Sequence, residues 1–204
     1  MNILLDRLPT KVEIGGMEFE INSGFRTSIL FTQLLEDSDV PDNFKIVQSL
    51  ELYYGDCARN IKNIQEAYEK IMWFYTLGKT SKKSESNSGE KVTKDYDFEY
   101  DAELIYAAFM QNYHIDLSES NMHWWKFITL LNCIEGTLFG KVREIRNIDT
   151  SKLKGDQARE IKELKKKVAV KTQEDVKAEE EAREIEEILM YGRSKSGKTL
   201  ADLK

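Results

Sequence analysis

Apolar and polar residues alternate strictly at one place in the chain, close to its amino terminus. The runs Lys11–Ile14 and Met17–Ile21 alternate on either side of Gly15 and Gly16. Alternation is typical of a strand with one buried face, and a glycine pair readily adopts the positive φ angles of a tight turn. The pattern therefore predicts a β-hairpin. Its expected register pairs Lys11 with Glu20, Val12 with Phe19, Glu13 with Glu18 and Ile14 with Met17.

Most of the remaining chain shows helical spacing, with apolar residues three and four positions apart. Such spacing places the apolar side chains on one side of a helix, where they can pack against a core. Helices are therefore the expected main element of the fold. Before residue 150 the predicted helices span residues 27–36, 42–54, 57–75, 104–113, 118–134 and 142–148.

The third of these helices has the most regular apolar spacing. Its stripe consists of Cys57, Ile61, Ile64, Tyr68, Ile71 and Tyr75. A stripe of this kind predicts one continuous buried face. We therefore expect Ile64 and Ile71 to be buried alike, so that a charged residue at either position would unfold the first half of the protein.

The composition supports a mainly helical protein. The 204 residues include only two prolines and 11 scattered glycines, too few for a sandwich of many tight turns. Cys57 and Cys133 lie far apart in apolar helical surroundings, which predicts reduced core thiols in a cytosolic protein. The net charge of -6 argues against a nucleic-acid partner. No apolar run approaches the ~18 residues that span a bilayer, and the amino terminus does not resemble a secretory signal.

Charge replaces apolar periodicity towards the carboxyl terminus. Residues 162–171 are basic and residues 174–187 are acidic, each with a thin apolar seam, so we expect extended charged helices that depend on a partner. They can either fold back on each other or pair with another copy of the chain. A polar stretch after Gly78 predicts a flexible linker. The expected organisation is a hairpin with helices at 1–78, the linker at 79–94, a helical region at 95–150, and charged helices with a frayed tail at 151–204.

No pattern in the sequence predicts a catalytic, cofactor-binding or metal site. Residues Gly192–Thr199 fit the phosphate-loop pattern, but a charged helix precedes them where a buried strand is required. His114 and His123 have no second ligand at metal spacing and are expected at helix ends. The acidic residues of 95–103 lack the central glycine and closing glutamate of a calcium loop. We therefore expect a protein that is not an enzyme.

Neighbouring aromatic residues occur at several points on the predicted helices. Adjacent positions differ by ~100° around a helix, so the members of a pair cannot all face one core. We expect the surplus to form a protein-binding surface. The candidate partner-binding residues are Trp73, Tyr100, Tyr106, Trp124, Trp125 and Phe127.

Several of these residues lie in longer runs that resemble a known family. The runs are Tyr96–Phe109, Tyr113–Leu117, the His-Trp-Trp motif at 123–125 and Leu130–Asn132. They are similar to the "gp fifteen" family of tailed phages and of prophages in Gram-positive bacteria, and the resemblance covers roughly residues 1–150. The charged carboxy-terminal helices are not part of the recognised motif.

The resemblance implies a non-catalytic role in phage tail assembly. Members of the family look like tail assembly chaperones that act on the tape measure protein until tail tube subunits polymerise around it. By this resemblance the expected partner is the tape measure protein, with the tail tube protein as a further one. No cofactor is expected, and the expected location is the host bacterial cytoplasm. A structural component of the tail is the alternative.

Overall fold

The computed structural model describes residues 2–79, 95–170, 173–191 and 193. Within them lie one two-stranded antiparallel sheet and eight α-helices, which confirms a mainly helical fold with an amino-terminal hairpin. The elements are β1 Lys11–Ile14, β2 Met17–Glu20, α1 Phe25–Glu36, α2 Asp42–Tyr54, α3 Ile64–Tyr75, α4 Ala102–Tyr113, α5 Trp124–Asn132, α6 Leu138–Asn147, α7 Gly155–Val168 and α8 Gln173–Tyr191. Apart from Lys79 and Arg193, the predicted linker and the phosphate-loop-like segment lie outside the described residues.

The hairpin of β1 and β2 has the predicted register at every pair. Gly15 and Gly16 have φ angles of 58° and 79°, the left-handed values that a two-residue turn requires. Both apolar side chains of β1 are buried. On the outer face the Lys11 ammonium lies 3.3 Å from the Glu18 carboxylate, so its ion pair is with Glu18 and not with the directly opposite Glu20.

Helices α1 and α2 pack against each other through their buried sides. α2 has the predicted bounds, whereas α1 begins earlier than predicted because the Phe25 backbone N–H donates to the Met122 carbonyl at 2.9 Å. The Phe25 ring also stacks on Phe127, with ring centroids 4.7 Å apart. Between the helices the Ser28 and Tyr53 hydroxyls share a buried hydrogen bond of 2.9 Å. Burial raises the pKa of Tyr53, so its phenol stays protonated in this core.

The predicted apolar face of the third helix is wrong at Cys57 and Ile64, whereas Ile61 is buried as predicted. Residues Gly55–Asn60 form a 3-10 helix, and α3 begins only at Ile64, after the Asn63 side chain caps it. This break changes the phase of the helix, so Cys57 is exposed and Ile64 is 52% exposed. Ile71 is fully buried, as predicted. The buried residues of α3 are Ala67, Ile71 and Phe74.

Helix α4 ends as predicted, but α5 is shorter than predicted. His114 follows α4 with a left-handed φ of 53°, as expected of a residue that ends a helix. The next residues form a loop because the Asp116 carboxylate accepts hydrogen bonds from the Ser118 backbone N–H and hydroxyl. The Arg26 guanidinium donates to three backbone carbonyls of this loop. As a result α5 begins at Trp124 and not at Ser118.

Both cysteines are free and exposed, which corrects the expectation of core thiols. Cys57 lies in the 3-10 helix before α3, and Cys133 directly follows α5. Each therefore sits where a regular element gives way to a turn of the chain. The apolar residues near them in sequence point elsewhere, so the local composition misled the prediction.

The described chain forms two compact units. The first consists of the described residues of 1–92 together with 101–141, and the second of those of 93–100 and 142–204. The predicted domain boundaries are placed differently and stay predictions.

Polar contacts join parts of the second unit around α6 and α7. The Arg143 guanidinium pairs with the Asp95 carboxylate at 2.6 Å, and the Lys165 ammonium donates to the Ile148 carbonyl at 2.7 Å. No side chain of α7 is fully buried, in keeping with the thin apolar seam of its sequence. Whether α7 pairs with α8 or with another copy stays a prediction.

Candidate protein-binding surface

The His-Trp-Trp motif lies at the start of α5 and joins three parts of the first unit. The His123 Nδ1 accepts a hydrogen bond from the Trp125 backbone N–H at 3.1 Å and so caps the helix. The other ring nitrogen, Nε2, donates to the Pro9 carbonyl at 2.9 Å. This pair of bonds requires a neutral ring, and burial lowers the pKa of His123 despite the opposing bond to Pro9. The histidine has the helix-capping role that the sequence predicted.

The two tryptophans of the motif cap the carboxyl end of α3. The Trp124 indole N–H donates to the Tyr75 carbonyl at 3.0 Å, and the Trp125 indole N–H donates to the Phe74 carbonyl at 2.7 Å. The last carbonyls of a helix have no partner within it, so these bonds satisfy acceptors at a buried helix end. The Trp124 ring also stacks on Tyr75, with centroids 5.5 Å apart.

Three of the predicted partner-binding residues lie in the core. Trp124, Trp125 and Phe127 are 2%, 3% and 1% exposed, and Phe127 lies between the rings of Phe25 and Phe109. In this fold their side chains have almost no surface to offer a partner. The start of α5 is surrounded on several sides, so successive residues can all be buried, and partner binding by these three side chains stays a prediction.

The other three candidates retain accessible surface. Trp73 packs edge-on against Trp125, with centroids 5.7 Å apart, and is partly exposed. Tyr100 is exposed in the second unit, where the Arg146 guanidinium lies 5.9 Å from its ring centroid. Tyr106 is exposed on α4 of the first unit. Partner binding by these three side chains stays a prediction.

Tyr106 belongs to an apolar surface that we call the α4 outer face, consisting of Ala102, Tyr106, Ala107 and Met110. All four are exposed, and Tyr106 and Met110 are 39% and 40% exposed. Ala102, Tyr106 and Met110 are spaced four residues apart, and the exposed Glu103 lies between Met110 and Ala107 on the side opposite the buried residues of α4. An exposed helix side is ordinarily polar, whereas the exposed side of α4 mixes these four apolar residues with Glu103 and Gln111. Sequence reasoning missed Met110, although its helical spacing from Tyr106 was visible in the sequence.

The Tyr106 ring is held in place on this face by the following loop. Its hydroxyl donates to the Asp116 carboxylate at 3.1 Å. That hydrogen bond raises the pKa of Tyr106, as does the nearby negative charge of Glu119. Hydrogen bonds from Ser118 in turn lower the pKa of Asp116. The ring therefore sits beside the Asp116 carboxylate, which is charged at neutral pH.

Further apolar side chains are exposed elsewhere in the described chain. Those on helices include Leu30 of α1, Phe44 and Val47 of α2, and Leu189, Met190 and Tyr191 of α8. Phe44 and Val47 share one side of α2 because they are three residues apart.

The described residues hold no group of three or more histidine, cysteine, aspartate or glutamate side chains placed for a metal ion. The two histidines instead lie at helix ends. Across the same part of the chain, no helix has both the length and the apolar character needed to cross a bilayer.

Comparison with protein families identifies the chain. A family model described as Bacteriophage Gp15 protein matches residues 4–170. The chain belongs to this phage family. The match confirms the resemblance read from the aromatic runs and the His-Trp-Trp motif. No curated protein and no solved structure matches the chain.

The match to the bacteriophage Gp15 protein family covers most of the described elements of the chain. It extends past residue 150 and includes all of α7, whereas the resemblance in the sequence was placed at about residues 1–150. The His-Trp-Trp motif and the α4 outer face both lie inside the matched range. Helix α8 lies beyond it.

Proposed function

We propose that this bacteriophage protein is a tail assembly chaperone that binds the tape measure protein and carries out no catalysis. Membership of the Gp15 family is the observation that carries the proposal, because the resemblance to that family implies a role in tail assembly. The tail tube protein is a further proposed partner. The protein would act in the host bacterial cytoplasm, where tail proteins are made.

The exposed apolar surface supports binding of a helical client. A chaperone for a long helical protein has to offer apolar side chains on a folded scaffold, and exposed apolar patches commonly mark protein-binding sites. The α4 outer face provides such side chains on a helix anchored to the core by Ile105, Ala108 and Phe109. Tyr106 and Met110 are residue types that are enriched at protein interfaces.

Coexpression with the tape measure protein of the same phage tests the proposal. We expect the tape measure protein to be mostly insoluble alone, to become soluble with this protein, and to elute with it as one complex on size exclusion. An unrelated acidic protein of similar size serves as the control and should not rescue solubility. Failure of the wild-type protein to rescue solubility or to form a complex would refute the chaperone function.

A structural part of the tail is the second candidate function, since the same apolar surfaces would suit permanent assembly. Mass spectrometry of purified phage particles separates the two. A chaperone should be absent from finished particles, whereas a structural component should be present in a fixed ratio to the tail tube protein.

A further inference from the structure

We infer that the α4 outer face binds a basic amphipathic helix, whose apolar stripe covers Tyr106 and Met110 and whose lysines or arginines meet the surrounding carboxylates. The inference rests on the proposed function, because it names the kind of client segment that this protein would hold. It adds the place of binding and the chemistry of the bound segment.

The shape of the face suits a helix. Tyr106 and Met110 form a ridge along α4, while the small side chains of Ala102 and Ala107 leave a shallower surface beside them. Helices approach each other to about 8–10 Å between axes when small residues flank the contact, and ridges of one then fill the grooves of the other. The bond from Tyr106 to Asp116 holds the ring in one position before any partner arrives, which reduces the entropy lost on binding.

The charges around the α4 outer face favour a partner that is positively charged. Between Asp101 and Trp125 the sequence contains no lysine or arginine. Glu103 is exposed in the first turn of α4, and the Asp116 and Glu119 carboxylates lie near Tyr106. Arg26 of α1 is a cation that reaches the loop after α4, and its guanidinium is directed at three backbone carbonyls. The balance around Tyr106 stays acidic, so complementarity requires a basic segment.

The same charges argue against a second copy of this chain as the occupant. Pairing two α4 outer faces would bring the carboxylates of Asp116 and Glu119 close to their equivalents or to Glu103. Like charges brought together at an interface are unfavourable. A basic helix removes this repulsion and replaces it with attraction, and the apolar ridge is covered equally well.

A designed peptide tests the face directly. The probe is an 18-residue helical peptide with a leucine stripe and lysines at the remaining positions, labelled for fluorescence anisotropy and titrated with the full-length protein. We expect saturable binding that weakens as salt is added. The same peptide with glutamate in place of lysine should not bind. Equal binding of the two peptides would overturn the inference.

Variants on two helices separate this face from general apolar attraction. Met110→Gln and Tyr106→Ala should each weaken lysine-peptide binding about tenfold, the loss typical of an interface anchor. Phe44→Gln is the matched control, because Phe44 of α2 is 58% exposed and its replacement should leave binding unchanged. Circular dichroism establishes that each variant is folded. Met110→Gln decides the matter if Tyr106→Ala disturbs the loop. Equal effects of Met110→Gln and Phe44→Gln would overturn the inference.

Two further measurements distinguish failure of this inference from failure of the proposed function. If the wild-type protein holds the tape measure protein and Met110→Gln holds it equally well, the inference fails while the chaperone function stands. If the wild-type protein holds no client, the function fails, and the peptide titration still decides the chemistry of the face. Sedimentation of the free protein identifies the other occupant. A dimer that Met110→Gln converts to a monomer would show a self-interface and overturn the inference.

Discussion

Replacing Trp125 with phenylalanine should destabilise the protein strongly, whereas the same replacement at Trp73 should have little effect. The two rings pack against each other edge-on, so the two substitutions remove the same kind of side chain from the same region of the fold. They differ in burial, since Trp125 is 3% exposed and Trp73 is partly exposed. They differ also in hydrogen bonding, because the Trp125 indole N–H caps α3 at the Phe74 carbonyl.

The size of the effect follows from two losses. Phenylalanine cannot donate the 2.7 Å bond to the Phe74 carbonyl, and the net value of such a bond is about 1 kcal/mol. That carbonyl keeps a weaker partner in the Leu77 backbone N–H at 3.1 Å, so the full penalty of an orphaned acceptor is avoided. The smaller ring also removes buried apolar area and leaves a void, which costs about 1–2 kcal/mol. The sum is about 2–3 kcal/mol for Trp125→Phe, against less than about 1 kcal/mol for Trp73→Phe.

Urea unfolding followed by far-ultraviolet circular dichroism measures the difference. Both variants should keep the wild-type slope, and only Trp125→Phe should show a clearly lower midpoint. Equal midpoints would refute the capping role assigned to Trp125. If Trp125→Phe had normal stability but did not bind a client, the result would favour the partner-binding role that the sequence predicted for the His-Trp-Trp motif.

Two further predictions follow from burial in the same unit. Ile71→Ala should lower the free energy of unfolding by about 2–5 kcal/mol, while Ile64→Ala should lower it by less than about 1 kcal/mol. Urea titrations measure both losses, and losses of similar size would contradict the assignment of Ile71 to the buried side of α3 and of Ile64 to its exposed side. Burial holds the pKa of folded His123 below its usual 6.5, so the unfolded chain binds a proton first as pH falls, and stability should decrease below about pH 6.5. His123→Asn keeps a capping side chain that does not titrate and should flatten this decrease in melting temperature, and the His114→Asn control should not.

The parts of the fold that were predictable depend on neighbours in sequence. The hairpin register follows from alternation around Gly15 and Gly16, and the bounds of α2 follow from its spacing and from Gly55 after it. The face of α3 was wrong because its spacing continues across a break. The local sign of that break was Asn63, a residue that favours helix starts, and the regular stripe concealed it.

The candidate surface was predictable only in part for a similar reason. Tyr106 is exposed on α4, but Trp124 and Trp125 are core residues. Their assignment to the surface assumed that a helix buries one side only. The start of α5 has Tyr75 near one tryptophan and Phe74 near the next, and both contacts come from residues distant in sequence. A local pattern does not contain such contacts.

The indole caps of α3 also set an order of events during synthesis. These hydrogen bonds join residues that are 49 and 51 positions apart in the sequence. During translation α3 therefore leaves the ribosome before α5 has been made. Until Trp124 and Trp125 emerge, the nascent chain carries a helix with an open end and with Phe74 uncovered, a state prone to wrong associations. We expect translation that stops between α3 and α5 to yield a fragment that aggregates. The reason is that the core of the amino-terminal half is completed by side chains of α5, which have not yet been made.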